Sequence, residues 1–373
     1  MEIQKRTLID GSTRWKIRWR QGGRYRSRSF DRKGDAVNFG VELRRRQQLG
    51  TLAGLDTSRM TLAEYVAGTW AKAYRANLSE STRRRYGHLY DKHILPELGT
   101  IPLGEITQEM IARWQADCLA SGGGPVAVRN ALTLLGGILQ RAVEAGHLQT
   151  NPTRAVRKAP LPRRQEVRPF APLAIERMRQ VATPRDAALL SVLAYSGLRP
   201  GEALALQWRD IREQTILVER ALSLGQEKDT KTAAHRTVRL LTPLAADLRE
   251  WRLRSGRPTE RALVFPSRAG RPWTLSAYQN WRGRAFRSIR ERAGLEHCRP
   301  YNLRHSFASL LLHEGRSVIY VARQLGHDAR LTLGTYGHVI DELDGTPHID
   351  AETAIVTARE ELRTTLISVA RDA

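Results

Sequence analysis

The stretch "NPTRAVRKAPLPRRQEVRP", residues 151–169, sets the first constraint on the fold. It holds four prolines, six basic residues and one acidic residue. Proline has no amide proton to give a helix or a central strand, so the chain must pass here as an extended connector. The segments on its two sides therefore fold as separate cores. Along the 373 residues the expected divisions are 1–55, 59–152, a basic linker at 153–168, 169–345, and a C-terminal tail helix at 346–373. No apolar run is long enough to span a bilayer, and "MEIQKRTLID" is no signal peptide. Cys118 and Cys298 match no zinc spacing, which suits a reducing, cytoplasmic setting.

The connector's charge is typical of the whole. The formal net charge is +23, and of 61 basic residues only eight are lysines. Such a field attracts polyanions, and the arginine fork fits phosphate bidentately, so nucleic acid is the leading partner. The bland alternative is a GC-rich coding bias that scatters arginine, or a ribosome-associated chain. The charge is uneven: residues 1–50 carry +9 and residues 341–373 carry −5, so the two ends should meet different partners.

In "TRWKIRWRQGGRYRSRS" (13–29), Trp15, Ile17 and Trp19 alternate with Arg14, Lys16, Arg18 and Arg20. That is the period of a half-buried strand, with Gly22-Gly23 as a hairpin turn into a second basic strand. A short helix, "DAVNFGVELRRRQQLG", should prop the sheet, leaving the four basic side chains as candidate DNA contacts or as a merely solvated face. Residues 59–150 read as helices. One carries Tyr86, Leu89, Tyr90, His93 and Ile94 and closes at Pro96 and Gly99; another opens at Thr107; a third runs from Val128 to Ala142 and stops at Gly146. "STRRRY" puts Arg83, Arg84 and Arg85 at a helix start, where they meet phosphate or water equally well.

Beyond the connector, "RDAALLSVLAYSGL" should be a buried helix ending at Gly197. Pro200 fits the first position of the next helix, placing Arg199 at its cap with Glu202 one turn on. "TILVERALSL" and "AHRTVRLL" read as strands bracketing the polar "GQEKDTKTA", which carries Lys231. "NLRHSFASLLLHEG" and "SVIYVARQLG" read as helices; Arg304 opens the first, and His327 comes just after the glycine stop of the second. Asp328 can cap one more helix, carrying Tyr336. Singly, each of these side chains has an ordinary structural reading. Together, two arginines, a lysine, a histidine and a tyrosine could surround one phosphodiester. Fixed cations would stabilise charge on the nonbridging oxygens, lysine could protonate the departing oxygen, and tyrosine could attack phosphorus.

The order "YSGLRPGEALALQW", "TKTAAHRTVRL", "YNLRHSFASLLL", "LGHDARLTLGTYGHV" resembles the tyrosine recombinases, or phage-type integrases, over residues 165–340. The resemblance implies that Arg199 and Arg304 clamp phosphate, Lys231 is the general acid and His327 a further phosphate ligand. It makes Tyr336 the nucleophile and Glu202 the acid behind the first arginine. One position departs: the family usually has histidine where this chain has Tyr301, which leaves open who accepts the nucleophile's proton. His305, next to Arg304, is expected to face elsewhere on its helix. The resemblance also implies a helical core-binding domain at 59–152 and an arm-type DNA-binding domain at 1–55.

The expected fold is mainly α with small β-sheets (α+β). The expected function is site-specific DNA recombination through a 3′-phosphotyrosine, integrating or excising a mobile element. The implied partners are double-stranded DNA at attachment core and arm sites, a homotetramer on that DNA, and DNA-bending and excision-directing accessory proteins. No cofactor and no metal is expected, since the chain has no GxxxxGK[ST] loop and no carboxylate cluster for paired metals. The protein is expected in the cytoplasm, on the nucleoid. Two alternatives stand: a non-catalytic helix-turn-helix regulator built on "SVIYVARQLGHDARLTLGTYGH", and a type IB topoisomerase. The tail, with Ala351, Ile355, Ala358, Leu362 and Leu366 near one face, is expected to dock on a neighbouring protomer.

Overall fold

The computed structural model describes residues 2–7, 11–21, 24–48, 60–162, 169–223, 225–229, 235–295, 297–343 and 345–371. The chain divides into two compact units, residues 1–164 and 165–373.

The first unit opens with an antiparallel sheet of β1 (Glu2–Thr7), β2 (Thr13–Gln21) and β3 (Arg24–Phe30), in that order. Ile17 is fully buried on the apolar face of β2, with Trp15, Trp19, Phe30 and Phe39 packed around it. The helix Lys33–Gln48 adds Ala36 and Leu43 to this small core. On the other face Arg14, Arg18 and Arg20 are exposed and Lys16 is half-buried. Strand β1 sets Arg6 opposite Arg14 and Gln4 opposite Lys16, widening that basic face. Its sequence, "EIQKRT", has too few apolar residues to announce a strand. The Gly22-Gly23 turn lies outside the described residues.

Helices make up most of the other described residues of this unit. Thr107 caps Gln108–Ala120 by accepting from the Met110 amide at 3.2 Å, and Pro125–Glu144 buries the stripe from Val128 to Ala142. The Trp114 indole donates to the His93 carbonyl at 2.6 Å, tying two helices together inside the core. The segment closes at Gly99 as expected, but Pro96 lies inside its last turn rather than at its stop. The helix Glu80–Leu89 continues through a wider π-type turn, Tyr90–Ile94, into Leu95–Leu98 and ends at Gly99. Pro96 falls in the first turn after that widening, where a missing N–H is tolerated. Arg84 and Arg85 are exposed there and Arg83 is half-buried.

In the second unit the helix Pro184–Tyr195 is buried almost all round, as its unbroken apolar sequence requires, and packs against Pro300–His313. Strand β4 (Thr215–Val218) pairs with β7 (Arg236–Arg239), and β5 (Arg220–Ser223) with β6 (Gln226–Asp229). The polar bracket between the two sequence-predicted strands thus contributes a strand of its own. Lys231 lies outside the described residues. Helices Val318–Leu325 and Ala329–Leu343 are separated by a turn at Gly326–Asp328, and the Asp328 carboxylate accepts from the Arg330 amide at 2.7 Å. Among the described residues no helix is long and apolar enough to cross a membrane.

The first half of the tail helix Ala351–Arg371 packs on its own unit. Ala351, Ile355 and Ala358 are buried, and the helix lies against Pro172–Gln180. Arg359 reaches Asp247 at 2.7 Å and Glu176 at 3.3 Å. Two buried carboxylates need cations, and Arg359, with Arg179, supplies them. Further on, Leu366 and Ile367 are exposed. Ile355→Ala is therefore expected to destabilise the isolated protomer by about 2–5 kcal/mol, the usual cost of emptying a core site. Chemical denaturation at low protein concentration checks this; an unchanged midpoint would show that the tail's apolar face is not seated on its own unit.

Candidate active site

Two turns and two helices make the site. Gly197 ends the buried helix with φ +63°, and a Cβ there would lie 2.6 Å from Phe307, so only glycine lets the chain turn this close. Arg199 then caps the helix Pro200–Leu204. Glu202 reaches back: its carboxylate accepts from the Arg199 amide at 2.8 Å and from Arg199 Nη1 at 2.7 Å. The ion pair anticipated from the sequence is formed, and it fixes where the arginine points.

Arg304 does not open its helix. The helix starts at Pro300, and Arg304 lies in its second turn with 1% of its surface exposed. Its guanidinium donates to the carbonyls of Gly197 and Leu325 and to His327 Nε2, the last at 2.7 Å. Arg199 Nη2 donates to the neighbouring Gly326 carbonyl at 3.1 Å. One arginine thus staples the turn carrying Arg199 to the turn carrying His327. Burial lowers the Arg304 pKa to about 10, with the Arg199 charge adding to the effect, so it remains a cation near neutrality.

The state of the His327 ring is set by this bond. Arginine can only donate, so His327 Nε2 must accept, and the ring proton sits on Nδ1. Burial, then the charges of Arg304 and Arg199, push the His327 pKa down to about 4. A neutral imidazole therefore presents an Nδ1–H, a buried atom with no protein partner. Arg304 Nε is likewise buried and unpartnered. Buried donors left open are costly, and a phosphate oxygen would satisfy them.

A residue missed in the sequence holds this cluster from behind. Arg236, at the start of β7, forks onto Glu202 at 3.1 and 2.7 Å and donates to the Gln324 carbonyl at 3.1 Å. Burial alone would raise the Glu202 carboxyl; the Arg236 fork, then Arg199, outweighs it and holds the pKa at about 2. "HRTVRL" reads as a basic strand, and nothing local in it marks which arginine turns inward.

Tyr336, in the helix Ala329–Leu343, is fully buried. Its hydroxyl lies 2.6 Å from His305 Nδ1. This overturns the expectation that His305 faces away. Residues four apart share a helix face, so His305 stacks one turn beyond Tyr301, and their rings meet edge to face at 5.6 Å. Tyr301 itself is 44% exposed at the helix start. Burial pushes the Tyr336 phenol well above its ordinary pKa, with the Arg304 charge opposing.

Fixed cations and a neutral imidazole donor beside a tyrosine define a class: enzymes that break and rejoin a phosphodiester through a phenolic oxygen. The comparisons with known proteins agree. The model described as "Phage integrase family" matches residues 172–342, and "Phage integrase, N-terminal SAM-like domain" matches residues 61–119. Prophage integrase IntR of Escherichia coli (strain K12) is 25% identical over 359 residues, covering 85% of each chain. Tyrosine recombinase XerC of Xanthomonas axonopodis pv. citri is 34% identical over 205 residues, 53% of this chain and 62% of that one. Among solved structures, the Tn1549 transposon integrase in complex with transposon right end DNA superposes with a TM-score of 0.64 at 18% identity, covering 77% of this chain and 99% of that one. A lambda integrase tetramer bound to a Holliday junction gives 0.59 at 19% identity, covering 88% and 94%. The chain belongs to the phage integrase family of tyrosine recombinases, site-specific enzymes that cleave and rejoin DNA.

The integrase and recombinase matches favour a DNA-cleaving enzyme over the non-catalytic regulator and the type IB topoisomerase.

Proposed function

We propose that the protein is an integrase in which Tyr336 attacks a core-site phosphodiester while Arg199, Arg304 and His327 bind its nonbridging oxygens. The observation that carries this reading is the Arg304 staple, which brings Arg199, His327 and Arg304 together with two open buried donors. Glu202 and Arg236 aim the arginines. Lys231 protonates the leaving oxygen, and Tyr301 lines the entrance to the site. The product is a 3′-phosphotyrosine with a free 5′ hydroxyl. By analogy with the lambda integrase tetramer on a Holliday junction, four copies act together, exchanging strands in pairs. The helical region at 59–152 binds the core site, with Arg83, Arg84 and Arg85 on phosphates. The sheet at 1–55 reads arm sites through Arg14, Lys16, Arg18 and Arg20. DNA-bending and excision-directing proteins set the direction, and the enzyme works on the nucleoid, where its substrate is.

The experiment is a nicked suicide duplex carrying the attachment core from DNA flanking the gene, read on a denaturing gel. Adduct should form equally well in EDTA, because fixed arginines supply the charge stabilisation. Arg199→Ala should cut its rate by about 10²–10³ or more, the usual cost of one preorganised donor, with site binding retained. Adduct at the parental rate in Arg199→Ala would remove that residue from the clamp. In a separate gel-shift assay, deleting residues 1–55 should abolish arm-site binding and spare core-site binding; unchanged arm affinity would refute the arm-reading role of the sheet.

A further inference from the structure

We propose that His305 is the catalytic base of cleavage, accepting the Tyr336 phenolic proton as the oxygen attacks phosphorus. The inference rests on Tyr336 being the nucleophile and goes beyond it by naming where its proton goes.

Geometry comes first. His305 Nδ1 and the Tyr336 hydroxyl are 2.6 Å apart and buried, at the near end of the reach a general base requires. The two rings lie 5.6 Å apart at 59°, so the contact runs edgewise through the nitrogen and the hydroxyl. A phenol can donate this bond when the imidazole proton is on Nε2, leaving the Nδ1 lone pair to receive. The helix explains the placement: positions 301 and 305 share a face, and of the two it is His305 whose ring nitrogen meets the Tyr336 hydroxyl.

The other candidates are committed elsewhere. His327 Nε2 already accepts from Arg304, and the surrounding cations make that ring a poor base. The Glu202 carboxylate is forked by Arg236 and bonded by Arg199. Tyr301 is a second phenol, unable to accept a proton from the first near neutrality. Need is acute as well, since burial makes the Tyr336 phenol a weaker acid than usual.

The step balances without any further reagent. The Tyr336 oxygen forms a bond to phosphorus, and its proton passes to His305 Nδ1, giving imidazolium. The bond from phosphorus to the 5′ oxygen breaks with its electron pair, and that oxygen takes a proton from the acid assigned to Lys231. Religation runs the same transfers backward: the 5′ hydroxyl attacks, Lys231 recovers its proton, and imidazolium returns its own to the departing phenol.

The test measures single-turnover adduct formation on the nicked core duplex. His305→Asn keeps an acceptor oxygen near the Nδ1 position but no basicity, so the phenol stays held. The variant should bind the site as the parent does and lose about 10²-fold or more in cleavage, within the usual contribution of a general base. Installing a fluorinated, more acidic tyrosine at 336 should then restore much of the rate in His305→Asn while changing the parent far less. A merely structural histidine gives no such selective rescue. Parental cleavage by His305→Asn, or a slow variant that the acidic phenol leaves equally slow, overturns the proposal. Tyr336→Phe runs alongside: adduct from that protein would sink the nucleophile assignment itself, whereas its inactivity beside a fully active His305→Asn sinks only the base. Should His305→Asn fail to fold, ¹⁵N-histidine spectra of the parent decide, with the His305 signal identified by its response to Tyr336→Phe. A proton on Nε2 supports the proposal, and a neutral ring protonated at Nδ1 overturns it.

Discussion

A Tyr336→Phe protein is expected to bind its core site with parental affinity and to form no covalent adduct at all. The substitution removes one oxygen from a ring that is otherwise core: Tyr336 is fully buried with Leu303, Phe307 and Val339 in the same apolar cluster. Phenylalanine fills that space unchanged. The loss is one hydrogen bond to His305, which typically costs about 1 kcal/mol, with the unsatisfied imidazole nitrogen adding a similar amount. Such a change leaves a domain with an extensive core folded. The chemical loss has no such limit, because no other oxygen stands in place of the phenol. Of the remaining hydroxyl groups near the site, that of Tyr301 belongs to a ring 44% exposed at the helix start, 5.6 Å from the His305 ring. Peptide mapping of the parental adduct should therefore return the peptide containing Tyr336, and the Phe protein should give none in any buffer, with or without EDTA. An adduct from the Phe protein, or one mapped to Tyr301, would overturn the assignment.

How far these features were legible in the sequence depended on range. Local signals held: the apolar run before Gly197, the strand alternation around Ile17, and the caps at Thr107 and Asp328 each depend on residues within a turn or two. Arg199, Glu202, Arg304, His327 and Tyr336 were nameable because each sits at a helix boundary or in a distinctive motif. What sequence could not show was which long-range partner each would take. Arg236 is one of several arginines in a basic strand, and only the folded chain sets it against Glu202, 34 residues earlier. Strand β6 was hidden because its residues are polar and its pairing with β5 comes from the backbone. His305 is the instructive error. The spacing that puts 301 and 305 on one face is present in the sequence, yet nothing local tells which of the two side chains meets the helix carrying Tyr336.

Glu202→Gln is expected to be the most damaging substitution for stability around the site, and the sign of its pH dependence is fixed by the geometry. Glu202 is 3% exposed and serves two arginines, accepting two bonds from Arg236 and two from Arg199. Glutamine keeps the shape but replaces one acceptor oxygen with an NH₂ donor, which must then face an arginine that can only donate. It also leaves Arg236 buried without its counter-charge. Breaking one side of a buried pair costs about 3–5 kcal/mol. The acid titration points the same way. The Glu202 pKa in the folded chain is about 2 against an ordinary 4.5. A depressed carboxyl contributes stability that is whole above its unfolded pKa and is lost as pH falls through the folded one. The span corresponds to about 3 kcal/mol at 1.36 kcal/mol per unit. The gap between parent and Glu202→Gln should therefore be full at neutral pH and shrink as acid is added between about 4.5 and 2, the parent losing what the variant never had. Urea denaturation across that range measures it. Arg199, no longer held at both its amide and its guanidinium, should lose its aim, so adduct formation on the suicide duplex should fall even where the variant is folded. A Gln protein as stable as the parent at neutral pH would show that Arg236 and Arg199 are held by their carbonyl contacts to Gln324 and Gly326 rather than by the carboxylate.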